Sequence, residues 1–291
     1  MQTLQETGKS KTVNIKSKKF DVSSHHKSYQ VAIEIDLCGY AVAVMDRSNT
    51  TLVSLYEIAY DTPLQPSQIP SIVADLMHGD LARYQRIESI KIHFYASKFV
   101  LVPAQYYFFG NDRELLETQH KTIASGDQIF GDTLKLLNAQ NIYSLPNGTA
   151  NTVFANTTIQ HAYTSLIETL LFVYQQDTQT HLFVNVRMGS ADVIALQNGK
   201  LLLANPYDIH ADTDLVYFLA LICQELDFDT ATTPINLMGN ISNNDDLHTQ
   251  IKQYFQKVNF IKQIPYLKYD PAFKDVSAHQ HFSLMSLLAC E

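Results

Sequence analysis

Three short turns carry the residue types that could hold a phosphate or a hydrated cation. They are Asp36-Leu37-Cys38-Gly39-Tyr40, Arg187-Met188-Gly189-Ser190 and Gly239-Asn240-Ile241-Ser242. Glycine lets backbone N–H groups come close to an anion, and a carboxylate such as Asp36 can hold a hydrated divalent ion. Each residue also has a plain structural use. Asp36 suits a cap on its turn, Arg187 an ion pair with an acidic neighbour, and Gly189 and Gly239 a positive φ. Other candidates fall away. Gly8-Lys9-Ser10 ends like a phosphate loop, but Thr3 stands where the loop needs glycine and no strand precedes it. His25-His26 and His279-x-His281 lack a third ligand at useful spacing, so they read as structural or solvated and no metal site is expected. Asp227-Phe228-Asp229 and Asp245-Asp246 lack a calcium-loop pattern and read as a loop and an acidic first turn of a helix. No GxSxG or HExxH occurs, so no catalytic residue is assigned.

The elements that must position these turns repeat. Tyr29–Ile58 and Thr180–Ile209, about 150 residues apart, each read as strand, glycine-bearing turn, strand, polar turn, strand. Such close spacing requires antiparallel pairing, because parallel neighbours need a long crossover. Asn198-Gly199 between apolar runs is a strong hairpin signal. Between the copies, Ile69–Leu76 reads as a helix entered through prolines, and Ser89–Tyr95 and Phe99–Val102 as strands. Asn111 with Glu114 three residues on reads as a capping box, and Asp132–Leu137 and Ile142–Leu145 as strands. Thr158–Gln175 reads as one long helix, with an apolar stripe from Ile159 to Val173. Beyond the second copy, Ala211–Leu226, Asp245–Phe255 and His281–Cys290 read as helices, and Ile235–Met238 as a short buried strand. Two copies of one unit suggest two lobes with a cleft between them. The expected divisions are 1–28, a polar arm; 29–146, the first lobe; and 147–291, the second.

Composition bounds the function. The chain of 291 residues is 46% hydrophobic, enough for a sizeable core. Its formal net charge of −8 argues against general nucleic-acid binding. Residues 1–28 are the exception, with six lysines against Glu6 and Asp21, and read as a solvated arm. Cys38, Cys223 and Cys290 form no CxxC and are odd in number, which argues against a disulfide framework or a zinc knuckle. A reducing cytoplasm fits best, and Cys38 reads as a small buried apolar residue. No apolar stretch is long enough for a transmembrane segment, and none follows the N-terminal charges as a signal peptide would require.

In order and placement, the three turns resemble the phosphate and adenosine turns of the actin-like ATPase superfamily, and more closely an uncharacterised bacterial family with that fold. The resemblance implies an α/β, two-lobed, ribonuclease H-like duplication with mixed five-stranded sheets flanked by helices. It covers nearly all of residues 29–291. It implies that Asp36, Cys38, Gly39, Tyr40, Arg187, Gly189, Ser190, Gly239, Asn240 and Ser242 would face a nucleotide. The turns depart from the family pattern: Cys38 replaces a glycine, Arg187 replaces an Asp, and Gly239-Asn240 replaces a glycine pair. Losing a carboxylate removes a metal anchor and adds a fixed cation. The expectation is a protein without hydrolysis and without a cofactor, a scaffold or assembly component with an unknown protein partner and unknown oligomeric state. The alternative is an ATPase or small-molecule kinase using ATP and magnesium. Arg187 is expected to pair with Asp36, with another carboxylate, or with a bound anion, because an unpaired buried charge is costly.

Overall fold

The computed structural model describes residues 9–16, 27–36, 38–60, 62–84, 86–150 and 156–289. Gly8, Leu37, His25-His26 and Cys290 lie outside them, as do residues 1–8 and 17–26 of the expected arm. The chain divides into two compact units. The first comprises residues 1–165, 266–276 and 287–291, and the second 166–265 and 277–286.

The first unit is built on the sheet of the first copy. Strands β2 (Tyr29–Asp36), β3 (Gly39–Asp46) and β4 (Thr51–Tyr60) form an antiparallel meander. β5 (Ile87–Phe94) pairs parallel with β2 after helix α1 (Ile69–His78). Prolines open α1, and Ile69, Val73 and Leu76 bury its inner face. β2 and β3 are buried almost throughout, as expected for strands covered on both faces.

β1 (Lys9–Lys16) and β15 (Lys268–Tyr269) bring this sheet to six of its seven strands. Both pair with β4: β15 runs parallel beside Thr51 and Leu52, and β1 antiparallel from Ser54 to Tyr60. Part of the expected arm is therefore an edge strand.

β6 (Phe99–Pro103), β7 (Gln128–Leu134) and β8 (Ala139–Leu145) form a separate three-stranded sheet in the order β6-β8-β7. Helix α2 (Asp112–Gln119) packs its Leu116 against Val102 and Ile142 of that sheet. The expected capping box does not form, since the Asn111 side chain makes no cap hydrogen bond.

The long helix read over Thr158–Gln175 is two elements. β9 (Thr157–His161) pairs parallel with β5, and helix α3 (Ala162–Val173) follows. Two consecutive threonines, Thr157 and Thr158, and Ile159 favour a strand, and pairing with β5 outweighs the apolar spacing. β9 belongs to the first unit, whose N-terminal stretch runs to Ser165, within α3.

The second unit repeats the strand order and senses. β10 (Thr180–Arg187), β11 (Ser190–Gln197) and β12 (Lys200–Asp208) are antiparallel. β13 (Ile235–Gly239) and β14 (Val258–Phe260) add in parallel, giving the order β12-β11-β10-β13-β14. Asn198 and Gly199 have φ of 52° and 67°, the left-handed pair of a type I′ hairpin turn. Helices α4 (Asp212–Glu225) and α5 (Asp246–Tyr254) cover one face. There Leu215, Leu219 and Ile222 of α4 and Ile251 of α5 meet Val184, Val193 and Leu237 of the sheet. Burying one such side chain contributes about 1.5–3 kcal/mol. Helix α6 (Phe282–Ala289) begins in the second unit and ends in the first.

A polar network joins the three-stranded sheet to the start of α3 within the first unit. Asp132 accepts hydrogen bonds from the His161 backbone N–H and the Thr164 hydroxyl, both at 2.8 Å, and from the Tyr143 hydroxyl at 3.4 Å. Asn141 Nδ2 donates to His161 Nδ1 at 2.9 Å, while His161 Nε2 donates to the Ala96 carbonyl at 3.0 Å. Burial pushes the Asp132 carboxyl up to about 6, against the lowering effect of its three donors. A raised carboxyl binds its proton more tightly in the native state than in the unfolded one. Its stability contribution is therefore largest in acid and is lost as pH rises from about 4 to about 6. Asp132→Asn cannot ionise and should lack that loss. Urea midpoints at several pH values should show wild type weakening relative to the variant across this window, by on the order of 2 kcal/mol. A flat difference would contradict the burial of this carboxyl.

Candidate functional site

In the first unit, the first turn uses its unusual residues largely for packing. Asp36 and Gly39 pair across the β2–β3 hairpin. A Cβ on Gly39 would collide with the Ile58 carbonyl oxygen and sit 3.0 Å from Ala59 Cα. Glycine there permits close approach of β3 to β4. Cys38 is half-buried, not fully buried as its type suggested, and its carbonyl accepts from the Tyr60 N–H at 2.8 Å. Tyr40 packs against Tyr56 and Tyr60, with ring centroids 6.1 and 6.2 Å away. Burial, then the neighbouring hydroxyls, push its phenol far above the ordinary tyrosine range. The Tyr40 hydroxyl thus faces two other tyrosines.

In the second unit, the second and third turns come together. β10 and β13 run parallel, so Arg187 and Gly239 lie at adjacent carboxyl ends, where open α/β sheets leave a crevice. A cavity of about 560 Å³ opens there. Arg187, Gly189, Ser190 and Asn240 of the expected set line it, with Val186, Ile209, Leu215 and Leu247 as its apolar wall. Gly239 and Ser242 do not line it; they shape the third turn. Gly239 has φ of 82°, and a Cβ there would strike the Val186 carbonyl and sit 2.6 Å from Asn185 Oδ1. The Asn240 N–H then bonds that Val186 carbonyl at 2.7 Å. The Ser242 N–H and hydroxyl each donate to Asp245, at 2.7 Å.

Arg187 holds a buried carboxylate on its own hairpin. Its Nε and Nη2 donate to the two oxygens of Asp192, each at 3.0 Å. The Asp192 side chain is fully buried and also accepts from Asn185 Nδ2 at 3.0 Å. A planar fork meeting a carboxylate edge-on is the strongest form of this pair.

Five further polar residues line the cavity: His210, Asp212, Asn244, Asp245 and Asp246. The N-termini of α4 and α5 point their dipoles this way, an arrangement that favours anions. These ends, however, already carry carboxylates. Asp214 accepts from the His210 and Ala211 N–H groups, both at 2.9 Å, and these bonds hold its carboxyl below the usual range. The cavity thus combines one ion-paired cation with three acidic side chains. Among the described residues, no three His, Cys, Asp or Glu side chains converge as metal ligands.

The sequence carried a signal for three of the missed residues. Asp245-Asp246 stood out as a doublet at a helix start. Asp192 is the lone charge in the apolar run Ala191–Leu196. His210 and Asp212 had none beyond lying where a helix begins.

The model of a family described as "Protein of unknown function (DUF3822)" matches residues 17–258. The chain belongs to that family. No curated protein matches it in sequence. Among solved structures, it is similar to a protein of Bacteroides thetaiotaomicron with an actin-like ATPase fold and unknown function. The two share 20% identity over 90% of this chain and 96% of that one, with a TM-score of 0.74. It is also similar to a chain of the PilM–PilN type IV pilus biogenesis complex, at 11% identity, 89% and 97% coverage, and a TM-score of 0.58. The protein has the actin-like ATPase fold. No helix among the described residues is long and apolar enough to cross a membrane.

Two outcomes test the geometry of the turns. Arg187→Ala leaves Asp192 buried with Asn185 as a remaining donor, and should cost about 3–5 kcal/mol by chemical denaturation. An unchanged midpoint would show the pair to be solvated. Gly239→Ala combines left-handed strain with a backbone collision and should cost upwards of about 2 kcal/mol. Gly189→Ala, with φ of 72° and nothing within 4 Å of the added carbon, should cost only about 1 kcal/mol. Equal losses at the two positions would contradict this difference in crowding.

Proposed function

We propose that this member of the family is a non-hydrolysing, actin-fold scaffold or assembly protein that acts by binding another protein. The observation that carries the reading is the Arg187–Asp192 pair in the second turn. Phosphoryl transfer needs carboxylates free to organise metal near the phosphates. Here the turn offers a guanidinium, and the nearest carboxylate on the hairpin is fully buried and engaged by it. Asp212, Asp245 and Asp246 would oppose a polyphosphate in the same cavity. An interaction role has support elsewhere in the first unit. Tyr106, Phe108 and Phe109, in the loop between β6 and α2, are 63%, 68% and 93% exposed. Closely spaced exposed aromatics of this kind mark surfaces that bind partners. The same fold occurs in a pilus biogenesis complex, although fold alone does not assign function.

A second reading, nucleotide binding, is supported by the cavity itself. It lies at the carboxyl ends of parallel strands, with Gly189, Ser190 and Asn240 on its wall and about 560 Å³ of space.

Calorimetric titration of ATP and ADP, with and without magnesium, separates the readings when paired with a turnover assay on the same sample. The expected result is no magnesium-dependent hydrolysis. Robust turnover that Asp36→Ala abolishes would overturn the non-hydrolysing reading. Binding without turnover would assign the cavity a nucleotide in a protein that remains a scaffold.

A further inference from the structure

Helix α4 is apolar on two sides. Leu215, Leu219 and Ile222 face the core of the second unit. On the other side, Tyr217 is 63% exposed and Leu221 38% exposed. Phe218 lies beside them, its ring 4.7 Å from that of Tyr207 on β12 and 5.7 Å from that of Tyr217. Positions 217, 218 and 221 form one stripe at helical spacing, and Asp214 and Glu225 fall at its two ends. A surface helix normally turns a polar face outward, and one that is apolar on both sides is covered on both.

The surroundings say what kind of cover fits. The second unit has 11 acidic residues against 5 basic ones, a net of −6 within a chain of −8. Asp208, at the end of β12 and six positions before Asp214, is exposed, and Asp214 is kept ionised by two backbone hydrogen bonds. A second copy would set one acidic rim against another, and an anionic membrane surface would be repelled. We propose that the Tyr217–Phe218–Leu221 stripe docks a basic amphipathic segment of a partner protein, with its cations meeting Asp214 and Glu225. Those two residues are 11 positions apart, about 16 Å along the helix, which sets the spacing of the partner's cations. The inference rests on the interaction reading only in taking the protein to have a partner.

The probe is an 18-residue helical peptide with a Leu/Trp face and lysines 11 positions apart, compared with a peptide carrying Glu at each Lys. Binding to the full chain is read by fluorescence anisotropy. The lysine peptide should bind and weaken with added salt. The double variant Tyr217→Ser, Leu221→Ser, whose side chains lie outside the core, should weaken it by at least about tenfold. Glu225→Gln, which leaves the apolar stripe intact, should weaken it by about two- to fivefold. Replacing Tyr106, Phe108 and Phe109 by Ser should leave it unchanged. Four results would overturn the proposal: no binding of the lysine peptide, equal binding of the glutamate peptide, full affinity in the double variant, or a wild-type dimer that the double variant dissociates. ATP turnover, read on the same protein, would overturn the non-hydrolysing reading alone and leave this surface standing.

Discussion

Parallel pairing of β10 with β13, and of β2 with β5, is the constraint on which the rest depends. A parallel neighbour cannot be reached through a tight turn, so each pairing forces a crossover that places helix beside sheet. Strands covered on both faces must be apolar along their length, and β10 and β11 are buried at six consecutive positions each. Polar chemistry is thereby driven to the strand ends. The crevice beyond Arg187 and Gly239 is where this sheet can accept a ligand without opening its core.

One exception is Asp192, a carboxylate inside such a strand. It persists because three donors from β10 converge on it: Asn185 Nδ2 and the Nε and Nη2 of Arg187. A charge buried without those donors would cost several kcal/mol. The turn that resembles a phosphate cradle therefore has a prior structural duty. Its cation is fixed on the hairpin, and the glycines of the second and third turns serve different ends: Gly239 lets backbones touch, whereas Gly189 is crowded by nothing.

Much of the fold was legible because its signals are local. The two three-strand units, the Asn198-Gly199 hairpin and the helix over Ala211–Leu226 all declare themselves within a few residues. What was illegible depends on partners distant in the chain. β9 reads as helix until β5 is placed beside it. β1 is rich in lysine and polar residues and becomes a strand only against β4. Asn111 and Glu114 have the spacing of a capping box, yet the N-cap backbone, at φ −101° and ψ 16°, is not the extended one that such caps adopt. In the site, four of the ten expected residues, Arg187, Gly189, Ser190 and Asn240, line one cavity. The pairing of Arg187 with Asp192 required the register of β10 on β11, which composition does not carry.

The way β4 is completed bears on how the chain is made. Its edge is shared by β1, which precedes it, and by β15, whose Lys268 follows Thr51 by 217 residues. Nearly all of the second unit lies between them in sequence. On a ribosome, the Thr51–Leu52 edge thus waits open while another unit is synthesised, and the first sheet is among the last parts to close. Such a long loop closure slows assembly more than it weakens the product. β1, already paired along Ser54–Tyr60, leaves only a two-residue gap exposed in the meantime, too short a template for a neighbouring nascent chain to extend.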